Sequence, residues 1–339
     1  MNNKLLCIIL TVVMTGLILT GCKKAVGTPE DNPVVKADEE SETDEEIPSE
    51  LLEGEGHLFG YSCVDSAQPY FYVLKEAMRM FLEDNEARLL FKDAKGDAEL
   101  QNEQIQELID ANVDAVFLTP MDWAAITPAL EALKEAGIPV INLETQVRQT
   151  DLVNAYIGSN NKQAGRLCGD DLKKRKPKGG KVIIFESSSI NAVNERITGF
   201  EESIANAGFE VSARRSVEIN RQSAQQAARQ VLEQHKDADA IMCGNDEIAL
   251  GVLAAAKEAG ITNLLIYGVD GSPDIKQELA KADTLIAGSA ARLPIRTAEE
   301  AVLTGLAILE DKEYEKEIFT GAYMLDRSNI KLYGTDGWQ

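Results

Sequence analysis

The feature that most constrains this chain is a strand–helix–strand unit that occurs twice. Asp114-Ala115-Val116 opens one copy, whose helix ends Lys134-Glu135-Ala136-Gly137-Ile138. Asp239-Ala240-Ile241 opens another about 124 residues later, ending Lys257-Glu258-Ala259-Gly260-Ile261. A βαβ unit implies parallel strands and a covering helix, and its recurrence implies two similar lobes. The rest of the chain from His57 onward fits this pattern. Short β-rich runs are expected at 58–64, 89–93, 115–119, 140–143, 155–158, 182–185, 210–216, 240–243, 264–270 and 284–288. Helical periodicity lies between them, as at 69–85, 99–111, 123–136, 163–174, 192–206, 223–234, 247–259 and 294–309. Runs such as Val182-Ile183-Ile184-Phe185 are apolar on both faces, as parallel strands covered by helices on both sides must be. Ala-Gly pairs at 136–137, 207–208 and 259–260 end helices with the residue that tolerates the left-handed cap.

The N-terminal part reads differently. Residues 5–20 are almost wholly apolar after Lys4, a length that suits an export signal better than a membrane span. The run closes Leu19-Thr20-Gly21-Cys22, which resembles a bacterial lipoprotein cleavage box. That resemblance implies a signal peptide over 1–21, lipidation of Cys22, and a chain anchored outside the cytoplasm on the cell membrane. Between Glu30 and Glu55, twelve acidic residues face a single base, Lys36, with no aromatic residue. Such a stretch buries too little to offset chain entropy, so 22–56 is expected to be an acidic flexible tether. The overall formal charge of −22 excludes sequence-independent nucleic-acid binding, which needs Lys and Arg against phosphate.

Cys63, Cys168 and Cys243 make an odd set, so no complete disulfide framework is expected. With only His57 and His235 and no paired Cys spacing, neither a metal site nor a cofactor is expected. No GxSxG, P-loop or HExxH motif is present, and the chain is read as a non-enzyme.

In open parallel sheets ligands bind beyond the carboxyl ends of the strands. Polar and aromatic residues cluster there: Gln68-Pro69-Tyr70-Phe71, Pro120-Met121-Asp122-Trp123, Glu144-Thr145, Ser159-Asn160-Asn161, Arg196-x-x-Gly199-Phe200, Asn245-Asp246-Glu247 and Asp270-Gly271-Ser272-Pro273. Arg292 precedes Pro294 where the chain is expected to cross between lobes. Apart from Glu144-Thr145, and together with Gly137-Ile138-Pro139-Val140, these segments taken in order resemble the ribose-binding protein family of type I periplasmic sugar receptors, over His57 to about Tyr333.

The resemblance implies an α/β fold of two Rossmann-like lobes with parallel sheets, joined by a three-crossing hinge. The lobes are expected at 57–160 plus 293–321 and at 161–292 plus 322–333. It further implies that Gln68 bonds sugar hydroxyls and that Tyr70 and Phe71 stack on the sugar's C–H face. Arg196 would donate to sugar oxygens, and Asn245 and Asp270 would bind hydroxyls from the second lobe. Glu144 and Arg292 depart from the family pattern. So does Ile219, which stands where an aromatic is expected. Arg292 either meets an anionic group on the ligand or pairs with Glu144. Trp123 either reaches the cleft or covers a helix start. Asp246 or a neighbour is expected to cap its helix, with Asn245 reaching the ligand.

The expected function is capture of a monosaccharide or similar polyol for an ABC permease in the cytoplasmic membrane, by a monomer without nucleic-acid partners. The alternative is a receptor that presents its ligand to a membrane sensor.

Overall fold

The computed structural model describes residues 54–338. The expected signal peptide, Cys22 and the tether up to residue 53 lie outside the described residues. Two six-stranded sheets carry the fold. The first holds β1 (Leu58–Cys63), β2 (Arg88–Asp93), β3 (Ala115–Leu118), β4 (Val140–Leu143), β5 (Ala155–Ser159) and β11 (Glu317–Thr320). The second holds β6 (Gly180–Glu186), β7 (Phe209–Ser216), β8 (Ala240–Cys243), β9 (Leu265–Asp270), β10 (Ile286–Ala291) and β12 (Tyr323–Leu325).

The strand orders are β11-β5-β4-β3-β1-β2 and β12-β10-β9-β8-β6-β7, the same winding written twice. All pairings are parallel except β10 with β12. The repeated βαβ unit of the sequence is β3 to β4 in one sheet and β8 to β9 in the other. The chain passes between sheets after β5, after β10 and after β11, which gives the expected three crossings.

The connecting helices are α1 (Pro69–Glu83), α2 (Ala98–Asp110), α3 (Thr127–Glu135), α4 (Asn161–Arg175) and α5 (Asn191–Ile204). They continue with α6 (Arg221–Gln234), α7 (Asp246–Glu258), α8 (Pro273–Leu279), α9 (Pro294–Leu309) and α10 (Ile330–Tyr333). Their starts are set locally. Pro stands in the first turn of α1, α3, α8 and α9, where its missing N–H costs nothing. Side-chain oxygens of Asp97, Asn160, Asn220, Asn245 and Ser272 cap α2, α4, α6, α7 and α8.

Four apolar clusters fill the space between sheets and helices, two in each lobe. Strands β3, β4, β8 and β10 are buried along their whole length. Cys63, Cys168 and Cys243, the cysteines among the described residues, are free and buried within these clusters. Among the described residues, no helix is long and apolar enough to cross a membrane.

Three local expectations change. The helix expected from Trp123 begins at Thr127. Residues 123–126 form a turn in which Asp122 accepts the N–H groups of Ala124 (2.7 Å) and Ala125 (2.8 Å). The strand expected at 284–288 runs instead over Ile286–Ala291. β11 and β12 have no counterpart among the expected strands. They are four and three residues long and only partly buried, too short for a periodic signal.

Candidate functional site

In both sheets the strand order reverses next to the first strand, β1 in one and β6 in the other, and a crevice at the strands' carboxyl ends follows from that topology. The two crevices share one cleft of about 690 Å3, counting its open mouth. Gln68, Tyr70, Phe71, Glu144, Arg196, Asn245, Asp270 and Arg292 all line it, so the structure brings all eight candidate residues to one place.

Two of them terminate strands with unusual backbone. Glu144, directly after β4, has φ 58°, and Asp270, the last residue of β9, has φ 135°. Non-glycine residues rarely adopt these values, and such strain gathers where a side chain must be aimed.

A buried chain of charges crosses the cleft floor. Arg292 donates from Nε to Asp270 Oδ1 (2.8 Å) and from Nη1 to Glu144 Oε2 (2.6 Å). Its Nη2 lies 2.8 Å from the same Asp270 oxygen. The guanidinium carbon stands 3.6 Å from the centre of the Tyr70 ring, a desolvated cation–π contact. Tyr70 closes the circuit by donating its hydroxyl to Glu144 Oε1 (2.5 Å), which Ser159 Oγ also approaches (3.4 Å). Arg292, Glu144 and Asp270 are nearly fully buried. Burial alone would lower the Arg292 pKa. The charge of Asp270, with that of Glu144, outweighs it and holds the guanidinium above its ordinary value. Burial and the Glu144 charge push the Tyr70 phenol well up, so it remains a donor.

On the second lobe, Arg196 of α5 donates from Nε to Asn161 Oδ1 (2.9 Å) and from Nη1 to the Gly244 carbonyl (2.9 Å). Its Nη1 is 3.8 Å from Asp270 Oδ1. Burial, reinforced by the Arg292 charge, lowers its pKa to about 10, which still leaves it charged at neutral pH. Arg196 reaches this place because α4 and α5 pack backbone to backbone. A Cβ on Gly165 would lie 1.7 Å from the Arg196 carbonyl oxygen, and one on Gly199 2.0 Å from that of Lys162.

Asn245 is itself the cap of α7: its Oδ1 accepts from Ile248 N (3.0 Å). Asp246 turns inward, accepting from Ser272 N (2.7 Å) and Ser289 Oγ (2.7 Å). Burial, with the nearby Asp270 charge, raises its pKa from 3.8 to about 7.

Arg292 pairs with Glu144, and with Asp270 as well. Trp123 does not line the cleft; it is 40% exposed, with the Arg148 guanidinium 5.9 Å from its ring. The Tyr70 ring has one face covered by Arg292 and is 3% exposed, a pairing across 222 residues that no local pattern reveals. Met121, Ile190, Asp246 and Trp338 also line the cleft and were not among the candidates. Trp338 lay past the end of the resemblance. Its one signal is an aromatic following Gly337 in an otherwise polar segment.

The model of the periplasmic binding protein domain family matches residues 59–313. The ribose import binding protein RbsB of Escherichia coli is 28% identical over 248 residues, covering 73% of this chain and 83% of that protein. A solute-binding protein of an ABC transporter from Actinobacillus succinogenes, solved with D-allose, superposes with a TM-score of 0.77 at 21% identity, over 82% of this chain and 100% of that one. Another from Bacillus halodurans, solved with myo-inositol, gives 0.77 at 20% identity, over 82% and 96%.

Proposed function

The chain belongs to the periplasmic binding protein domain family, and from that premise we propose that it captures a neutral monosaccharide or similar polyol between its lobes for an ABC importer. It is read as a monomer that performs no chemistry on its ligand and is held on the outer face of the cytoplasmic membrane by a lipidated Cys22.

The observation that carries the reading is the convergence of planar polar groups from both lobes on one cleft with aromatic walls. Each hydroxyl of a polyol both donates and accepts, which suits carboxylate, amide and guanidinium groups presented together. Asn245 has its amide oxygen engaged as a helix cap, so its NH2 group is the part offered to a ligand. Neutrality of the ligand is supported by the charge pairing. Arg292 is engaged by two carboxylates and Arg196 stands beside Asp270, which leaves no surplus positive charge to meet an anion. The named relative imports ribose, and the two structural neighbours hold D-allose and myo-inositol. Support for lobes at 57–160 plus 293–321 and 161–292 plus 322–333 comes from the division of strands between the two sheets.

Calorimetry of the chain from Cys22 onward, against D-ribose, D-allose, myo-inositol and D-glucuronate, tests the reading. A neutral sugar or inositol is expected to bind, glucuronate is not, and Asp270→Ala with Asn245→Ala is expected to abolish the heat. Binding that survives the double substitution would remove these residues from the site.

A further inference from the structure

Trp338 reaches the cleft by an unexpected route. α10 belongs to the second lobe, where Ile330 packs into the core. Gly334 ends that helix with φ 73°, and Gly337 bends the chain again with φ 71°. Asp336 passes near enough to α8 for its charge to act on Lys276. Trp338 then packs against the apolar cluster of the first lobe, with its ring 5.8 Å from Tyr70 at 78°. The segment 334–338 thus leaves one lobe and ends against the other, at the cleft wall.

The cleft's aromatic surface explains what this arrival provides. Polyol C–H faces pack well on aromatic rings, which bury much area at little entropy cost. Tyr70 has one ring face occupied by Arg292. The second lobe offers Ile219, not an aromatic, at the cleft. Two ring surfaces remain, Phe71 and Trp338, each set edge-on to Tyr70 at 88° and 78°. Trp338 lines the cleft together with Tyr70 and Phe71, so the indole forms part of its wall.

We propose that Trp338 is a ligand-contacting residue: it supplies from the chain's last segment the stacking surface that the second lobe lacks, opposite or beside Phe71. This rests on the sugar-binding reading above. The test uses the chain from Cys22 onward and whichever of D-ribose, D-allose or myo-inositol it binds. Trp338→Ala is expected to weaken binding roughly tenfold or more, and Trp338→Phe to recover most of the loss. Trp123→Phe leaves Trp338 as the sole tryptophan, and its emission is expected to change on saturation. This second readout decides the matter even where Trp338→Ala fails to fold.

Unchanged emission at saturation, or an Ala variant that binds as tightly as the unsubstituted chain, overturns the proposal and leaves the sugar reading intact. Tighter binding by the Ala variant would make Trp338 a plug, and also overturns it. If the unsubstituted chain binds none of the three, the sugar reading fails and this proposal fails with it.

Discussion

Asp246 stands 1% exposed beside Asp270, and its carboxyl holds a proton at higher pH than an ordinary aspartate. The sign of the consequence follows from proton counting. Between the unfolded value of 3.8 and the folded value of about 7, the native chain binds more protons at this site than the unfolded chain. Stability contributed here is therefore fully present below pH 3.8 and lost as pH rises toward 7. Asparagine removes the titration while keeping one acceptor for Ser272 N and an NH2 to donate to Ser289 Oγ. Ligand-free Asp246→Asn is expected to lose less stability than the unsubstituted chain between pH 5 and pH 8, read as urea midpoints. Equal slopes in the two proteins would show that Asp246 titrates normally. The identity of this residue was legible as part of an Asn-Asp-Glu helix start. Its inward turn was not, because the Ser272 and Ser289 partners lie 26 and 43 residues away.

At the scale of elements, the contact between α4 and α5 decides where Arg196 points. Gly165 and Gly199 let the two backbones meet, and their missing Cβ atoms face carbonyl oxygens that cannot swing aside. An alanine in an unconstrained helix interior stabilises by about 0.5–1 kcal/mol relative to glycine. Here overpacking reverses the sign, and Gly199→Ala is expected to cost roughly 1–3 kcal/mol. It should also weaken ligand binding by shifting Arg196 away from Asn161 and Gly244. Urea unfolding with and without sugar measures both effects; a stabilised variant would mean that the helices can separate freely.

The elements themselves were largely readable. Ten strands announced themselves as short β-rich runs, many of them apolar on both faces because parallel strands covered by helices leave no polar face, while β7 at the sheet edge keeps Glu210, Arg214 and Arg215 exposed. β11 and β12 were silent because three or four half-exposed residues carry no period. The candidate site was readable as positions after strands, since topology fixes where carboxyl ends point. What those side chains do to one another was not. The Glu144–Arg292–Asp270 chain and the covered face of Tyr70 depend on contacts between lobes, which a local pattern does not encode.

For the whole molecule, the distribution of the core sets what can move. Each of the four apolar clusters is built from one lobe, and Trp338 alone arrives from a segment that follows the other lobe's last helix. Parting the lobes therefore exposes cleft walls and not core, so rigid-body rotation about the three crossings is cheap beside unfolding either lobe. Opposing the motion is the buried ion pair of Arg292 with Glu144, which joins the end of β10 in one sheet to the end of β4 in the other. A ligand touching both walls binds the closed arrangement better than an open one and shifts the population by that difference in affinity. Small-angle scattering is accordingly expected to give a smaller radius of gyration with saturating sugar than without it. The Asp270→Ala, Asn245→Ala protein should stay at its ligand-free value when the same sugar is added. An unchanged radius for the unsubstituted chain, with calorimetry showing the sugar bound, would mean that the lobes are already locked and that the cleft fills without hinge motion.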